Sequence, residues 1–102
     1  MSEVRKAIVI QAVDNVATMI ENVEAGEGVV TEGSAVDVSV TAEEPIRLGH
    51  KIALRAISAG EDIVKYGEVI GRATEDIATG QHVHVHNVES LRGRGDLARG
   101  TE

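Results

Sequence analysis

The sequence predicts a small, mostly antiparallel all-β domain. Apolar residues occur in short runs rich in Val and Ile, glycines recur between those runs, and no long stretch has helical periodicity. Glycine is the residue that turns a chain sharply between strands, because it adopts positive φ without strain. At 102 residues the chain has the size of one domain.

The composition restricts both the core and the chemistry. The chain has no Cys, Phe or Trp and one Tyr, so the core consists of Val, Ile, Ala and Leu. Such a core is thin, or is completed by another subunit, and this allows association with a second copy of the chain. Without Cys, neither a disulfide nor a thiolate metal site is possible.

The charge and hydropathy exclude two classes of partner. The net charge is −7, which disfavours binding to nucleic acid, since a phosphate backbone requires a basic face. No apolar run is long enough to span a bilayer, and the N-terminus lacks a signal-peptide pattern. We therefore expect a cytoplasmic protein.

The first half of the chain contains three predicted elements. Residues 6–10 form a short β-branched run that predicts a buried strand, and residues 16–20 suit either a strand or one helical turn. Residues 24–28 are predicted to be a loop. Residues 36–42 alternate, with valines at every second position, and predict a half-buried strand that Pro45 ends.

The second half contains four more predicted strands, followed by a tail. The strands cover residues 51–57, 63–66, 69–73 and 83–88. Residues 91–102 are rich in Arg, Gly and Asp and predict a flexible tail.

One glycine pattern recurs along the chain, and we interpret three instances of it as corners between strands. An apolar residue lies three positions before a Gly, and another lies three positions after it. Each instance predicts a tight reversal with both apolar residues pointing inward. The three are Val23–Gly26–Val29, Ile57–Gly60–Ile63 and Ile77–Gly80–Val83.

The most informative stretch is a row of alternating histidines near the end of the domain. In an extended strand His82, His84 and His86 project from one face, while Val83 and Val85 project from the other. The valine face is expected to pack on the core. An ordinary solvent-facing strand would explain the histidine row equally well.

Imidazoles at this spacing are also candidate metal ligands. Histidines two positions apart can converge on one ion, but the outer pair of three lies about 13 Å apart along a strand. At most two of the three therefore share a metal, and further ligands come from elsewhere in the chain or from a partner. Imidazole suits Zn, Fe, Ni or Cu.

Three further groups are candidate ligand-binding residues. Gly49 allows the backbone at His50 and Lys51 to approach a ligand or another strand closely. The alternative is a turn in which both polar residues are simply exposed. Lys65 and Tyr66 suit either substrate contact or a packed, buried tyrosine. Arginines bind carboxylates bidentately, so Arg92 and Arg94 in the tail are candidate substrate contacts. The alternative is that they only make the tail soluble.

Five blocks of residues follow one another in a characteristic order along most of the chain. They are Asp14-Asn15-Val16-Ala17, Leu48-Gly49-His50-Lys51-Ile52-Ala53-Leu54, Ile57 with Gly60, Ile63 to Ala73, and Asp76-Ile77 with Gly80 to Asn87. In this order the blocks resemble the small β-clip (SAF) domain of the altronate dehydratase, galactarate dehydratase and sulfolactate sulfo-lyase family. The resemblance covers about residues 7–90 and places the domain at 1–90.

The resemblance implies a component of a hydro-lyase or sulfo-lyase that needs a large subunit for activity. The family acts by metal-assisted β-elimination on small hydroxy-acids, with iron or another divalent ion held mainly by the large subunit. The chain corresponds to a separate small subunit or to the N-terminal domain of a fused enzyme. A non-catalytic β-clip binding or assembly module is the alternative.

The resemblance also suggests roles for individual residues. The groups expected nearest the chemistry are His50, His84 and His86, and the expected metal ligands are His82, His84 and His86. The residues expected to position the acid substrate are Lys51, Lys65, Tyr66, Asn87, Arg92 and Arg94.

Overall fold

A computed structural model describes residues 4–33 and 38–90, and every regular element in those ranges is a β-strand. None of the described residues forms a helix of the length and hydropathy needed to cross a membrane. The nine strands are β1 (Val4–Ile8), β2 (Val16–Met19), β3 (Gly28–Glu32), β4 (Ser39–Thr41), β5 (Lys51–Ala53), β6 (Asp62–Lys65), β7 (Glu68–Ala73), β8 (His82–Val83) and β9 (Val88–Ser90).

The strands form two sheets that are almost entirely antiparallel. The larger sheet has the order β4-β3-β1-β2-β5-β8, and the smaller has the order β6-β7-β9. The β1–β3 pair is parallel, and every other named pair is antiparallel. The all-β prediction is therefore confirmed, with one parallel pair that the sequence did not indicate.

The glycine corners predicted from the sequence are confirmed, and a fourth accompanies them. Gly26, Gly60 and Gly80 have φ of 91°, 91° and 88°, and Gly49 has φ of 89° in the same local arrangement. The apolar residues three positions before and after these glycines are at most 1% exposed. They are Val23, Val29, Ile46, Ile52, Ile57, Ile63, Ile77 and Val83.

The four corners are joined in two pairs. Val23 bridges Ile46 between the first and second corners, and Ile57 bridges Ile77 between the third and fourth. Each corner glycine donates its N–H, at 2.8–2.9 Å, to a carbonyl on the chain leading into the paired corner. The acceptors for Gly26, Gly49, Gly60 and Gly80 are the carbonyls of Ala42, Met19, Ala73 and Ala53.

Each corner pair closes its own apolar core. Both cores are built from aliphatic side chains, as the composition predicts, and Met19 is the largest fully buried residue. The first core contains Ala7, Val9, Ala17, Met19, Val23, Val29, Ala42, Ile46 and Ile52. The second contains Val16, Ala53, Ile57, Ile63, Ala73, Ile77 and Val83.

Several predicted strand boundaries were wrong. The strand predicted over 51–57 ends at Ala53, because the chain turns toward the third corner. The strand over 28–32 was missed, since its parallel partner β1 is distant in sequence. The alternating segment 36–42 is described from residue 38 onward, and strand β4 covers 39–41 of that part. Positions 34–37 and the predicted tail at 91–102 lie outside the described residues.

Candidate functional site

The histidine-rich segment is a short strand followed by a tight turn. Strand β8 ends at Val83, and the N–H of Asn87 donates to the carbonyl of His84 at 3.0 Å. The Asn87 side chain fastens the turn from inside: its Oδ1 accepts the His84 N–H and its Nδ2 donates to the His82 carbonyl. The predicted continuous strand over 83–88 is therefore wrong.

The turn changes the expected positions of the side chains. Val83 is fully buried as predicted, but Val85 is 81% exposed at the tip of the turn rather than packed on the core. The ring centroids of His82 and His86 lie 5.1 Å apart, far closer than the spacing of a strand allows. The three rings do gather on one side of the molecule, but through a reversal of the chain.

A fourth histidine joins the cluster from the second glycine corner. The corner fixes the backbone of His50, whose N–H donates to the Arg47 carbonyl and whose carbonyl accepts the Met19 N–H. The His50 ring stacks on that of His84 at 4.0 Å and on that of His82 at 5.0 Å. His50 Nδ1 lies 2.9 Å from His82 Nε2, so one of these two nitrogens carries the proton that joins them.

Three of these rings have the spacing of a metal-binding group. The ligand nitrogens of His50, His82 and His84 lie within 4.8 Å of one another, and all three residues are partly buried. The trio contains His50 in place of the predicted His86. The three ring planes lie within 13–14° of parallel, so their in-plane lone pairs do not converge until the rings rotate.

Burial and mutual repulsion favour the neutral form of two of these imidazoles, His82 and His84. Burial lowers the pKa of His82 below its ordinary value, and positive charge on the three neighbouring histidines lowers it further, against a smaller opposing effect of Glu44. Burial followed by the charges on His50 and Lys51 lowers the pKa of His84. A neutral imidazole offers a lone pair to a metal or a proton.

Two lysines and the tyrosine extend the same surface. Lys51 lies opposite Thr18 across the β2–β5 pair, and the hydroxyl of Tyr66 donates to Thr18 Oγ1 at 3.4 Å. Lys65 Nζ lies 5.0 Å from the centroid of the Tyr66 ring. Burial and then the charge of Lys65 lower the pKa of Lys51.

These side chains are open to a ligand. Tyr66 is 40% exposed, so the alternative of a buried packing tyrosine is wrong. Within the described ranges, no carboxylate lies at ion-pair distance from Lys51 or Lys65. The structure therefore brings Lys51, Lys65 and Tyr66 together on one surface, as the sequence predicts, and neither ammonium group forms an ion pair with a described carboxylate.

A buried polar pair positions the hairpin that carries Lys65 and Tyr66. Tyr66 and Gly67 both have positive φ, of 54° and 81°, as a two-residue type I′ turn requires. The Gly67 N–H donates to Asp14 Oδ1 at 2.7 Å. Asn15 grips the same hairpin, since its Nδ2 donates to the Asp62 carbonyl and its Oδ1 accepts the Val64 N–H.

The electrostatics of Asp14 fit this structural role. Burial raises the pKa of its carboxyl, but hydrogen bonds from four backbone N–H groups outweigh burial and lower the pKa below its ordinary value. Asp14 therefore stays charged and holds the loop at neutral pH.

Of the remaining predicted site residues, the structure describes Asn87 but not the two arginines. Asn87 is 4% exposed, and its side-chain Oδ1 and Nδ2 both form hydrogen bonds with the backbone. In this geometry Asn87 stabilises the turn. Arg92 and Arg94 lie outside the described residues.

Sequence reasoning missed the feature that distinguishes His50. In the other three corners the residue after Gly accepts, through its side chain, the N–H of the residue three positions earlier. The acceptors are Glu27, Glu61 and Gln81, at 2.8, 2.6 and 2.8 Å. The second corner has His50 there, and no described side chain accepts the Arg47 N–H. A comparison of the four corners in the sequence would have revealed this exception.

Comparison with known proteins agrees with the fold and the motifs. The chain matches the altronate/galactarate dehydratase SAF domain over residues 5–91. It is 42% identical to an altronate dehydratase of Bacillus subtilis (strain 168) over 77 residues, which cover 76% of this chain and 15% of that protein. The altronate dehydratase of Escherichia coli (strain K12) is 42% identical over 83 residues, covering 81% of this chain and 16% of the enzyme.

A different kind of relative matches over nearly its whole length. The (2R)-sulfolactate sulfo-lyase subunit alpha of Paracoccus pantotrophus is 44% identical over 64 residues, which cover 63% of this chain and 94% of that subunit. The chain thus spans about one sixth of the dehydratases and nearly all of the sulfo-lyase subunit. By the extent of the match and by its β-clip architecture, it belongs to the SAF domain family of altronate/galactarate dehydratases.

Proposed function

We propose that this chain is the small component of a lyase that eliminates water or sulfite from a hydroxy-acid, and that a larger polypeptide completes its active site. Relatives of two kinds support this: in altronate dehydratase the domain is a minor part of a long chain, and in sulfolactate sulfo-lyase it is a subunit. The observation that carries the proposal is the cluster of four imidazoles beside two lysines.

The histidine cluster suits a divalent metal ion, such as iron. His50, His82 and His84 are the residues that would hold it, since their ligand nitrogens are close and their donor type suits Fe and Zn. When bound, such an ion stabilises negative charge that develops on a substrate oxygen. Three ligands from this chain leave positions for substrate and for groups of the larger polypeptide, which we expect to supply most of the machinery.

The chain's own residues can move protons. β-Elimination from a hydroxy-acid requires a base for the proton next to the carboxylate and an acid for the leaving group. His86 lies outside the trio, with its ring 5.1 Å from that of His82, and is exposed. It is therefore free to accept or donate a proton while the other imidazoles hold their positions.

The lysines are the proposed contacts for the acid group of the substrate. Lys51 and Lys65 share a surface with the exposed hydroxyl of Tyr66. An ammonium pair without a carboxylate partner attracts an anion, and the effect is stronger because Lys51 is half-buried. The charge of Lys51 also acts on His84, which supports recognition of the carboxylate beside the histidines.

The test uses the assembled enzyme. The chain is co-produced with the larger dehydratase-type polypeptide of the same genome, and altronate, galactarate and (2R)-sulfolactate are screened for loss of water or sulfite. We expect turnover of one acid, at least a hundredfold loss in His82→Gln, and a raised KM in Lys51→Gln. Glu75→Gln, an exposed change outside the cluster, serves as the control.

Two results would count against the proposal. Full turnover in both His50→Gln and His82→Gln, with the complex intact, would leave the chain as a non-catalytic assembly module. The absence of any complex would remove the lyase assignment itself. Titration of the isolated chain with Zn²⁺ adds a readout independent of turnover, because we expect weak binding that His82→Gln abolishes.

A further inference from the structure

The two most exposed large apolar side chains among the described residues flank the histidine cluster. Val85 is 81% exposed and Leu48 is 60% exposed. Val85 lies at the tip of the 84–87 turn, and Leu48 lies in the 47–50 turn. The stacked rings of His50 and His84 bring these two turns side by side, and Leu48 and Val85 together are here called the apolar rim.

Both turns are held firmly in place. The His50 N–H closes one turn and the Asn87 N–H closes the other, while the Leu48 N–H donates to Asn22 Oδ1 at 2.8 Å. A fixed turn that presents an apolar residue loses little entropy when a partner covers it. A small isolated domain gains nothing from exposing these side chains, whereas a docked one buries them.

The geometry points to the apolar rim as the docking surface for the larger lyase polypeptide. This inference rests on the proposed function and identifies where the partner binds. The altronate dehydratases that contain this domain are about six times longer than the matched segment, so a larger body is available to cover it. Elimination chemistry also needs a site closed to water, and the rim adjoins the imidazoles.

The contact is made by side chains rather than by an added strand. β8 is the edge strand of the larger sheet, and an edge normally offers free backbone groups. Here Glu44 Oε2 accepts the His82 N–H at 3.0 Å, so the edge donor is already used. The partner therefore fits over Leu48 and Val85 with a matching apolar pocket, in the manner of anchor residues at the centre of an interface.

The experiment measures the dissociation constant between the full chain and the larger polypeptide, by calorimetry, for the wild type and three variants. Leu48→Ser and Val85→Ser are each expected to weaken binding by about tenfold or more. Val4→Ser is the matched control, since Val4 is 54% exposed on β1 and belongs to neither turn. Its dissociation constant should equal that of the wild type, and all three melting temperatures should be unchanged.

The outcomes separate this inference from the proposed function. If the wild type binds and both rim variants bind within twofold of it, the docking surface is elsewhere and the lyase assignment stands. If Leu48→Ser instead abolishes self-association of the isolated chain and leaves partner binding intact, the rim is a contact between copies, and the inference is overturned. If the wild type itself fails to bind, the proposed function fails with it.

Discussion

In three of the four glycine corners, the side chain after the glycine closes its own turn, whereas the second corner directs its side chain, His50, into the candidate site. Glu27, Glu61 and Gln81 each accept a backbone N–H of their own turn, whereas His50 points its ring at His82 and His84. The backbones of the four corners are nearly the same. The difference shows how a functional group can be placed rigidly, by giving up one local hydrogen bond in a repeated structural unit.

A second difference between corners concerns space. A Cβ on Gly49 would meet nothing within 4 Å, and the same holds for Gly26 and Gly60. A Cβ on Gly80 would overlap the carbonyl oxygen of Thr41. The corner that precedes the histidine turn is therefore packed against the β4 end of the larger sheet, while the corner that carries His50 is open.

The largest predicted effect is a loss of stability that tests the difference in packing between the Gly80 and Gly49 corners. Gly80→Ala combines backbone strain at positive φ, about 1–3 kcal/mol, with overpacking of roughly 1–3 kcal/mol. Gly49→Ala incurs the strain alone. Urea denaturation of both variants should show the Gly80 variant to be less stable by at least about 1 kcal/mol. Equal losses would mean that the Thr41 contact relaxes freely.

The next effect removes a turn acceptor from a structural corner. Glu61→Ala leaves the Ser58 N–H without its 2.6 Å bond, at a cost of about 1 kcal/mol in the free energy of unfolding. The exposed Glu75 provides a control of the same residue type. A melting temperature for Glu61→Ala that matches Glu75→Ala would show that water replaces this hydrogen bond without loss.

A smaller effect of opposite sign is expected in the second corner, which carries His50. His50→Gln restores the acceptor found in the fourth corner and should stabilise the isolated chain by roughly 0.5 kcal/mol, while it abolishes Zn²⁺ binding. His84→Gln removes a ring without supplying a turn acceptor, so it should lose Zn²⁺ binding without this gain. Thermal melts with and without Zn²⁺ test both, and a less stable His50→Gln would contradict the comparison of corners.

The smallest effect is a pH dependence confined to the histidine region. The pKa of His82 is lowered from 6.5 in the folded chain, so the unfolded chain binds protons first as the pH falls. The free energy of unfolding should be level above about pH 7.5 and should decline as the pH falls through 6.5 toward the folded pKa. His82→Gln should reduce this decline in urea titrations without removing it, because the pKa of His84 is lowered too, and the Glu61→Ala variant should retain the full decline.

The sequence predicts the fold class well, because the glycine spacing and the buried apolar flanks are local properties. Ile57, Ile63, Ile77 and Val83 are all buried as expected. The 84–87 turn was not predictable from alternation, since His-Val-His-Val-His has the period of a strand. What ends the strand is the Asn87 side chain, which bonds the backbone of both His82 and His84.

The candidate site was predictable as a set of residues but not as an arrangement. The row of histidines was evident, whereas the approach of His50 depends on the β5–β8 pairing of segments some thirty residues apart. The roles of Asp14 and Asn15 likewise depend on a hairpin about fifty residues away. Contacts of this kind follow from topology, which a single sequence does not specify.

The pairing of corners has a consequence for how the domain opens. The amide protons of Gly26 and Gly49 are bonded across the first pair, and those of Gly60 and Gly80 across the second. Each set can exchange with deuterium only when its own pair separates. The exchange rates of these four amides should therefore report the opening of the two halves independently. A ligand held by His50 from one half and His82 from the other should slow the exchange of both sets.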